Sequence, residues 1–266
     1  MTESESALVA SLSLIGRLPG SEVHADPTVT WVAGGRPLEG LNHVLRLDLT
    51  GDDAAIEAAI DDIDVALRER GAAPATWWTG PSTSPLDLAR RLGARGFADA
   101  EPEYGMVMDV ADAAPPTHEV EPVTDDAGLD VFLGVMAEAY GWRDGGSWEA
   151  WADLYRTSGA SGPGEPPWSH VIVRRDGQPA ACASLFTSEG HAFVSNVGTI
   201  PSARGAGLGT SATLGVLDIA RRSGFERASL TASVMGRSVY ARIGFREEAH
   251  LGRCISPGRA GQADPG

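Results

Sequence analysis

A glycine-rich turn set between a strand-like and a helix-like stretch constrains this chain more than any other feature. His191 to Ile200 reads as a β-strand, and Pro201 ends it because proline has no N–H to give a ladder. Arg204-Gly-Ala-Gly-Leu-Gly209 follows, and a helical pattern opens at once. Strand, glycine turn and helix start together make an anion site. The glycines let the backbone approach closely, several N–H groups converge, and the helix N-terminus adds partial positive charge.

Spacing narrows the ligand. A dinucleotide fingerprint, G-x-G-x-x-G, needs a glycine where Thr210 stands, and the spacing here is G-x-G-x-G. A Walker loop needs a lysine, and all 21 basic residues of the chain are arginine. The pattern that fits without a gap is Arg/Gln-x-x-Gly-x-Gly/Ala, with Arg204, Gly207 and Gly209 in its places. Downstream, Ser229 to Phe245 reads as a strand followed by a short helix that ends in Tyr240-Ala-Arg-Ile-Gly-Phe245. The two stretches, in this order, resemble the acetyl-CoA site of the GCN5-related N-acetyltransferases (GNATs), whose second element ends in Tyr-x-x-x-Gly-Phe. The resemblance covers roughly residues 119–256.

The resemblance implies acetyl-CoA as co-substrate and direct attack by an amine, with no covalent enzyme intermediate. It assigns the pantetheine to the backbone of Val197, Gly198 and Thr199. It assigns the pyrophosphate to Arg204, Gly205, Ala206, Gly207, Leu208, Gly209 and Thr210. Ser233 stands where the family often has a cofactor-contacting Asn. Tyr240 takes the place of the general acid, a phenol with a pKa near 10 that donates to the departing thiolate. Gly198 is the expected bulge or close-approach position in the strand.

The general base is left open. Phe193-Val-Ser-Asn196 offers no carboxylate, and Glu138, Asp144, Glu165 and Glu189 remain as alternatives. His170 and His191 open strands and read as structural residues. The acceptor pocket is expected around Tyr140, Trp142, Trp168 and Asn196, while Trp148 and Trp151 read as the buried side of a helix. No metal site is expected.

The same order of elements runs through residues 1–114. Leu92-Gly-Ala-Arg-Gly-Phe97 echoes Tyr240-Ala-Arg-Ile-Gly-Phe245, with Leu92 in the place of the tyrosine. Thr50-Gly51-Asp52-Asp53 stands where the phosphate loop would be, and two aspartates oppose a pyrophosphate. The expected fold is α/β, two tandem GNAT-like halves, each a mixed, mostly antiparallel sheet flanked by helices. Residues 1–114 would be a degenerate half without a cofactor site, and residues 115–266 the catalytic half. An unrelated α/β cap for the first half is the alternative. Ala111-Asp-Ala-Ala-Pro-Pro-Thr117 links the two.

Net charge is −15, with 8 arginines against 19 acidic residues in 1–114 and 13 against 17 in 115–266. An acidic body argues against a nucleic-acid partner, and no apolar run approaches the ~20 residues of a membrane span. The acidic N-terminus and two cysteines, Cys182 and Cys254, lead to a cytoplasmic expectation. A monomer or homodimer acting on a small-molecule amine is expected. Protein or peptide acetylation, or acyl-CoA sensing without turnover, are the alternatives.

Overall fold

The computed structural model describes residues 1–141, 146–158, 167–188 and 190–258, apart from the side chains of 146–148 and 158. Trp142, Asp144, Glu165 and Glu189 lie outside the described residues, as does the side chain of Trp148.

The first half runs α1 (Glu3–Ser13), β1 (Glu22–Ala25), β2 (Val29–Ala33), β3 (His43–Leu47), α2 (Asp53–Glu69), β4 (Thr76–Thr79), α3 (Leu88–Ala94) and β5 (Ala98–Asp109). The second runs β6 (Val120–Pro122), α4 (Asp126–Tyr140), α5 (Gly146–Ser158), β7 (Trp168–Arg175), β8 (Gln178–Ser188), β9 (His191–Thr199), α6 (Leu208–Arg222), β10 (Arg227–Ala232), α7 (Val234–Ile243) and β11 (Arg246–Ile255). Local chemistry explains the boundaries. Asp52 caps α2 by accepting from Ala55 N–H at 2.9 Å, and Ile56, Ile60, Ile63 and Leu67 repeat at helical spacing on its buried face. Asp125 caps α4 from Gly128 N–H at 2.7 Å, and Gly141, at φ +72°, ends it in the left-handed conformation. Asp176 and Gly177 both take positive φ, as the two-residue turn between β7 and β8 requires.

Two elements escaped the sequence reading. β1 is an exposed edge strand and β6 is three residues long, so neither shows alternating burial. The first helix stops at Ser13, where Leu14–Arg17 tightens into a 3-10 turn.

The described strands form one sheet in the order β1-β2-β3-β4-β11-β5-β10-β9-β8-β7-β6. Strands are exchanged across the middle: β11 pairs with β4 as well as β5, and β5 lies between β11 and β10. Three apolar layers cover the sheet. Under α6 and α7 lie Met106, Val194, Leu217, Leu230 and Phe245. Ile60 of α2 and Leu92 of α3 pack on Leu47 and Trp77 of the sheet. On the opposite face, one continuous layer joins Leu8, Ile15 and Trp78 of the first half to Leu129, Phe132, Tyr155 and Phe186 of the second. The last layer and the exchanged strands fix the first half against the cleft described next.

Candidate active site

Parallel pairing between β9 and β10 holds only from Phe193↔Ser229 to Val194↔Leu230. Beyond it β9 continues to Thr199 and β10 to Ala232, and the strands part. The gap is a cleft of about 430 Å³ lined by Val197, Thr199, Arg204, Gly205, Gly207, Leu208, Gly209, Thr210, Tyr240 and Arg242, among others.

The phosphate end is built by α6. Gly205 (φ +80°) and Gly207 (φ +78°) both take conformations that L side chains rarely adopt, and Gly207 is the N-cap. The first intrahelical bond runs from Ser211 N–H to Gly207 O, at 3.0 Å. The N–H groups of Leu208, Gly209 and Thr210 precede it and have no carbonyl within the helix. Gly209 keeps the strand and the helix close: a Cβ there would come within 2.9 Å of Thr199 Oγ1. Arg204 gives hydrogen bonds to Thr199 O (3.2 Å) and Ala139 O (3.0 Å), tying the end of α4 to the loop. Arg204 and Arg242 line the cleft with no carboxylate partner among the described residues. Donors, unpaired cations and a helix start at one end of a cleft suit a polyanionic ligand.

Phenols lie in and beside the cleft. Tyr240 packs edge-on against Phe245, with ring centroids 5.9 Å apart, and its phenol is pushed up to about 12 by burial, with the charge of Glu103 adding to the shift. Tyr140 donates to Val197 O at 3.3 Å. The buried surroundings of its hydroxyl raise that phenol well above the ordinary value, although 45% of the residue's surface is exposed. Cys182, fully buried on β8, is pushed up to about 12 by burial.

The strand irregularity lies next to the cleft, but not at Gly198. The β8–β9 register runs Cys182↔Gly198 and then Ser184↔Ser195, so the extra residue falls at Asn196–Val197. Asn196 takes φ +52°. It is held there because its Nδ2 donates to Tyr155 Oη (2.6 Å) and Ser184 Oγ (3.1 Å). Ser184 in turn bonds His170 Nδ1 at 2.8 Å. Gly198 serves close approach instead, since a Cβ there would meet Ala139 Cβ at 2.8 Å.

Other expected residues are placed as follows. Ser233 caps α7 and accepts from Gly236 N–H at 3.2 Å. Trp168 is not in a loop: it opens β7, is 3% exposed, and packs as core against Tyr155 and Phe186. Trp151 packs beside Tyr155 in the α4/α5 layer, as expected. His170 is buried, with its pKa pushed down to about 3 by burial. Glu138 is exposed. Among the described residues no cluster of His, Cys, Asp and Glu has the makings of a metal site.

The first half has a matching parting of strands. β3 and β4 pair in parallel only at His43↔Thr76 and Val44↔Trp77. Here the gap is filled by the chain itself. Ser84 N–H donates to Leu47 O (3.0 Å), Leu49 N–H donates to Ser84 O (2.9 Å), and Ser84 Oγ donates to Leu49 O (3.2 Å). Glu5 of α1 closes over this segment, accepting from Ser82 Oγ at 2.7 Å. A cavity of about 20 Å³ remains, too small for a cofactor.

With this geometry in view, comparison with known proteins is decisive for the second half. Residues 135–245 match the profile of the Acetyltransferase (GNAT) family. These residues form a GNAT acetyltransferase domain. The chain's fold is also found in a GCN5-related N-acetyltransferase from Kribbella flavida, with a TM-score of 0.72, 19% identity and 96% of each chain covered. A tandem GNAT protein from the clavulanic acid biosynthesis pathway is similar over 97% of this chain and 89% of that one, with a TM-score of 0.61 and 15% identity. A functionally unknown conserved protein from Staphylococcus epidermidis ATCC 12228 shares the fold at a TM-score of 0.68 and 10% identity, over 88% of this chain and 93% of that one. No curated protein matches the chain. The GNAT domain makes the protein an acyltransferase, on an α/β fold shared with tandem GNAT proteins. No described helix is long and apolar enough to cross a membrane.

Proposed function

We propose that the protein transfers the acetyl group of acetyl-CoA to the primary amine of a small molecule, using a single cofactor site in residues 115–266. The observation that carries this reading is the β9/β10 cleft, whose lining brings together unpaired helix N–H groups, two cations and Tyr240. Leu208, Gly209 and Thr210 would take the pyrophosphate on their N–H groups. Arg204 and Arg242 would add charge, and the parted edge of Val197–Thr199 would run along the pantetheine. Acetyl-CoA supplies the activated acyl group when bound.

Tyr240 acts as the acid. A phenol near 12 is a weak donor to an ordinary thiolate, whose conjugate thiol sits at ~8.5. Burial removes that mismatch, because it disfavours any thiolate. Burial of Cys182 on β8 pushes its thiol up in the same direction. A leaving thiolate shielded from water would move toward the phenol, which favours proton transfer between them. Tyr140 and the Asn196–Tyr155–Ser184 hydrogen bonds hold β9 in its irregular shape beside the reaction centre.

Residues 1–114 would bind no cofactor, because Ser82–Pro85 takes the strand edge that pantetheine would need. A thiol-release assay with acetyl-CoA and a panel of small amines tests the function. Amine-dependent release supports it. Release only with peptides would move the acceptor to proteins, and tight binding without any release would leave a sensor.

A further inference from the structure

The described part of the second half places no carboxylate where the strands part, but the first half does. β5 pairs with β10 up to Tyr104↔Ala232, so Glu103 is the next residue along, level with the start of α7. On its other edge Glu103 pairs with Leu251 of β11. Alternation along the strand fixes its face. Tyr104 and Met106 belong to the layer under α6 and α7, whereas Gly105 lies against Ser4 of α1. Glu103 therefore stands on the α1 side, one residue beyond the last β5–β10 pair. Its charge is felt by both phenols, Tyr240 on α7 and Tyr140 on α4.

The carboxylate is 24% exposed. Among the described residues its partner is Arg253, whose Nη1 is 3.6 Å away, longer than a hydrogen bond. Arg253 is also engaged by Glu39 at 3.4 Å and lies over the Trp78 ring at 5.3 Å. Arg253 would thus stay neutralised and packed if Glu103 turned to another cation. A half-buried carboxylate with a stretched ion pair is under-supplied with donors, and a second cation there gains more than at an open surface.

We propose that Glu103, contributed by the first half, receives the ammonium group of a cationic acceptor and so selects alkylamines over neutral amines. This rests on the reading above that the acceptor is an amine. It also gives the first half a role that needs no cofactor site: β5 is woven between β10 and β11 and carries the acceptor's counter-charge to the cleft.

The test compares wild type with Glu103→Gln, saturated with coenzyme A, by calorimetric titration of primary alkylamines and of arylamines that are neutral at pH 7. Alkylamine affinity is expected to fall at least tenfold in Glu103→Gln, with arylamine and acetyl-CoA affinities unchanged. Glu103→Asp should recover part of the loss. Equal loss for both amine classes would mean a structural role and overturn the assignment. So would unchanged alkylamine affinity, or no alkylamine binding to the wild type. Thiol release run alongside keeps the two readings separate. No amine-dependent release by wild type would end the acetyltransferase reading, while a charge-selective loss in Glu103→Gln would still uphold Glu103 as the ammonium contact.

Discussion

Replacing Tyr240 with Phe removes one hydroxyl and little else. The ring packs edge-on against Phe245 and over Gly236, where a Cβ would sit 3.2 Å from it, and phenylalanine keeps both contacts. The hydroxyl has no hydrogen-bond partner among the described residues, so its loss strands no buried group. Stability should change by no more than ~0.5 kcal/mol, the usual range for substitutions that break no buried partner. Chemistry should respond far more. Loss of a general acid costs on the order of 10²-fold, which is about 2.7 kcal/mol in the barrier. The phenol's pKa of about 12 has a further consequence: the acid stays protonated at all lower pH, so wild-type turnover should show no fall due to Tyr240 until pH nears that value. The assay is single-turnover thiol release with saturating amine, alongside acetyl-CoA affinity by calorimetry. A rate down ~10²-fold with affinity within a few-fold is the expected result. An unchanged single-turnover rate would refute the acid role, and an equal loss in affinity would make Tyr240 a binding residue instead.

Further predictions concern the loop, the strand edge and the histidines. Gly207 is a poor test position, because its φ of +78° strains any side chain. Thr210→Glu is better: a carboxylate in the first turn of α6 favours the helix by ~0.3–1 kcal/mol but repels pyrophosphate, so acetyl-CoA affinity should fall more than tenfold while the melting temperature holds. Arg204→Met removes the bonds to Thr199 O and Ala139 O and should weaken acetyl-CoA binding, as read by calorimetry. Burial depresses His43 to about 4 and His170 to about 3, both below the unfolded value. Each therefore contributes stability that is present above pH ~6.5 and lost as pH falls through the folded pKa, at about 1.4 kcal/mol per pH unit per histidine. Denaturant unfolding between pH 7 and 4 checks this, and a flat profile would contradict it.

The cofactor end of the site was legible because its chemistry is local. A strand end, positive-φ glycines and a helix start must be contiguous in the chain, and Arg204 to Thr210 are. Helix α6 was legible for the same reason, as the helical pattern that opens straight after the loop. What the sequence hid depends on distant pairing. Glu103 comes level with the start of α7 only because β5 is inserted between β10 and β11, and no pattern within the second half could point to it. The filling of the first half's gap depends on Ser84 meeting Leu47 and Leu49 across a long stretch of chain. The two aspartates of Thr50–Asp53 told against phosphate, but Asp52 is there as a helix cap. Gly198 drew attention as a glycine in a strand, yet the irregularity belongs to Asn196, whose positive φ is held by two side chains from separate elements, Tyr155 and Ser184. Trp168 read as a pocket residue because the glycine- and proline-rich stretch before it concealed the start of β7.

The central claim is that one acetyl-CoA binds per chain, in the cleft between β9 and β10. Calorimetric titration of the whole protein with acetyl-CoA tests it most directly. The account predicts a stoichiometry near one for the wild type and binding lost or greatly weakened in Thr210→Glu. A stoichiometry near two, or tight binding retained in a folded Thr210→Glu variant, would place a working site elsewhere and contradict it.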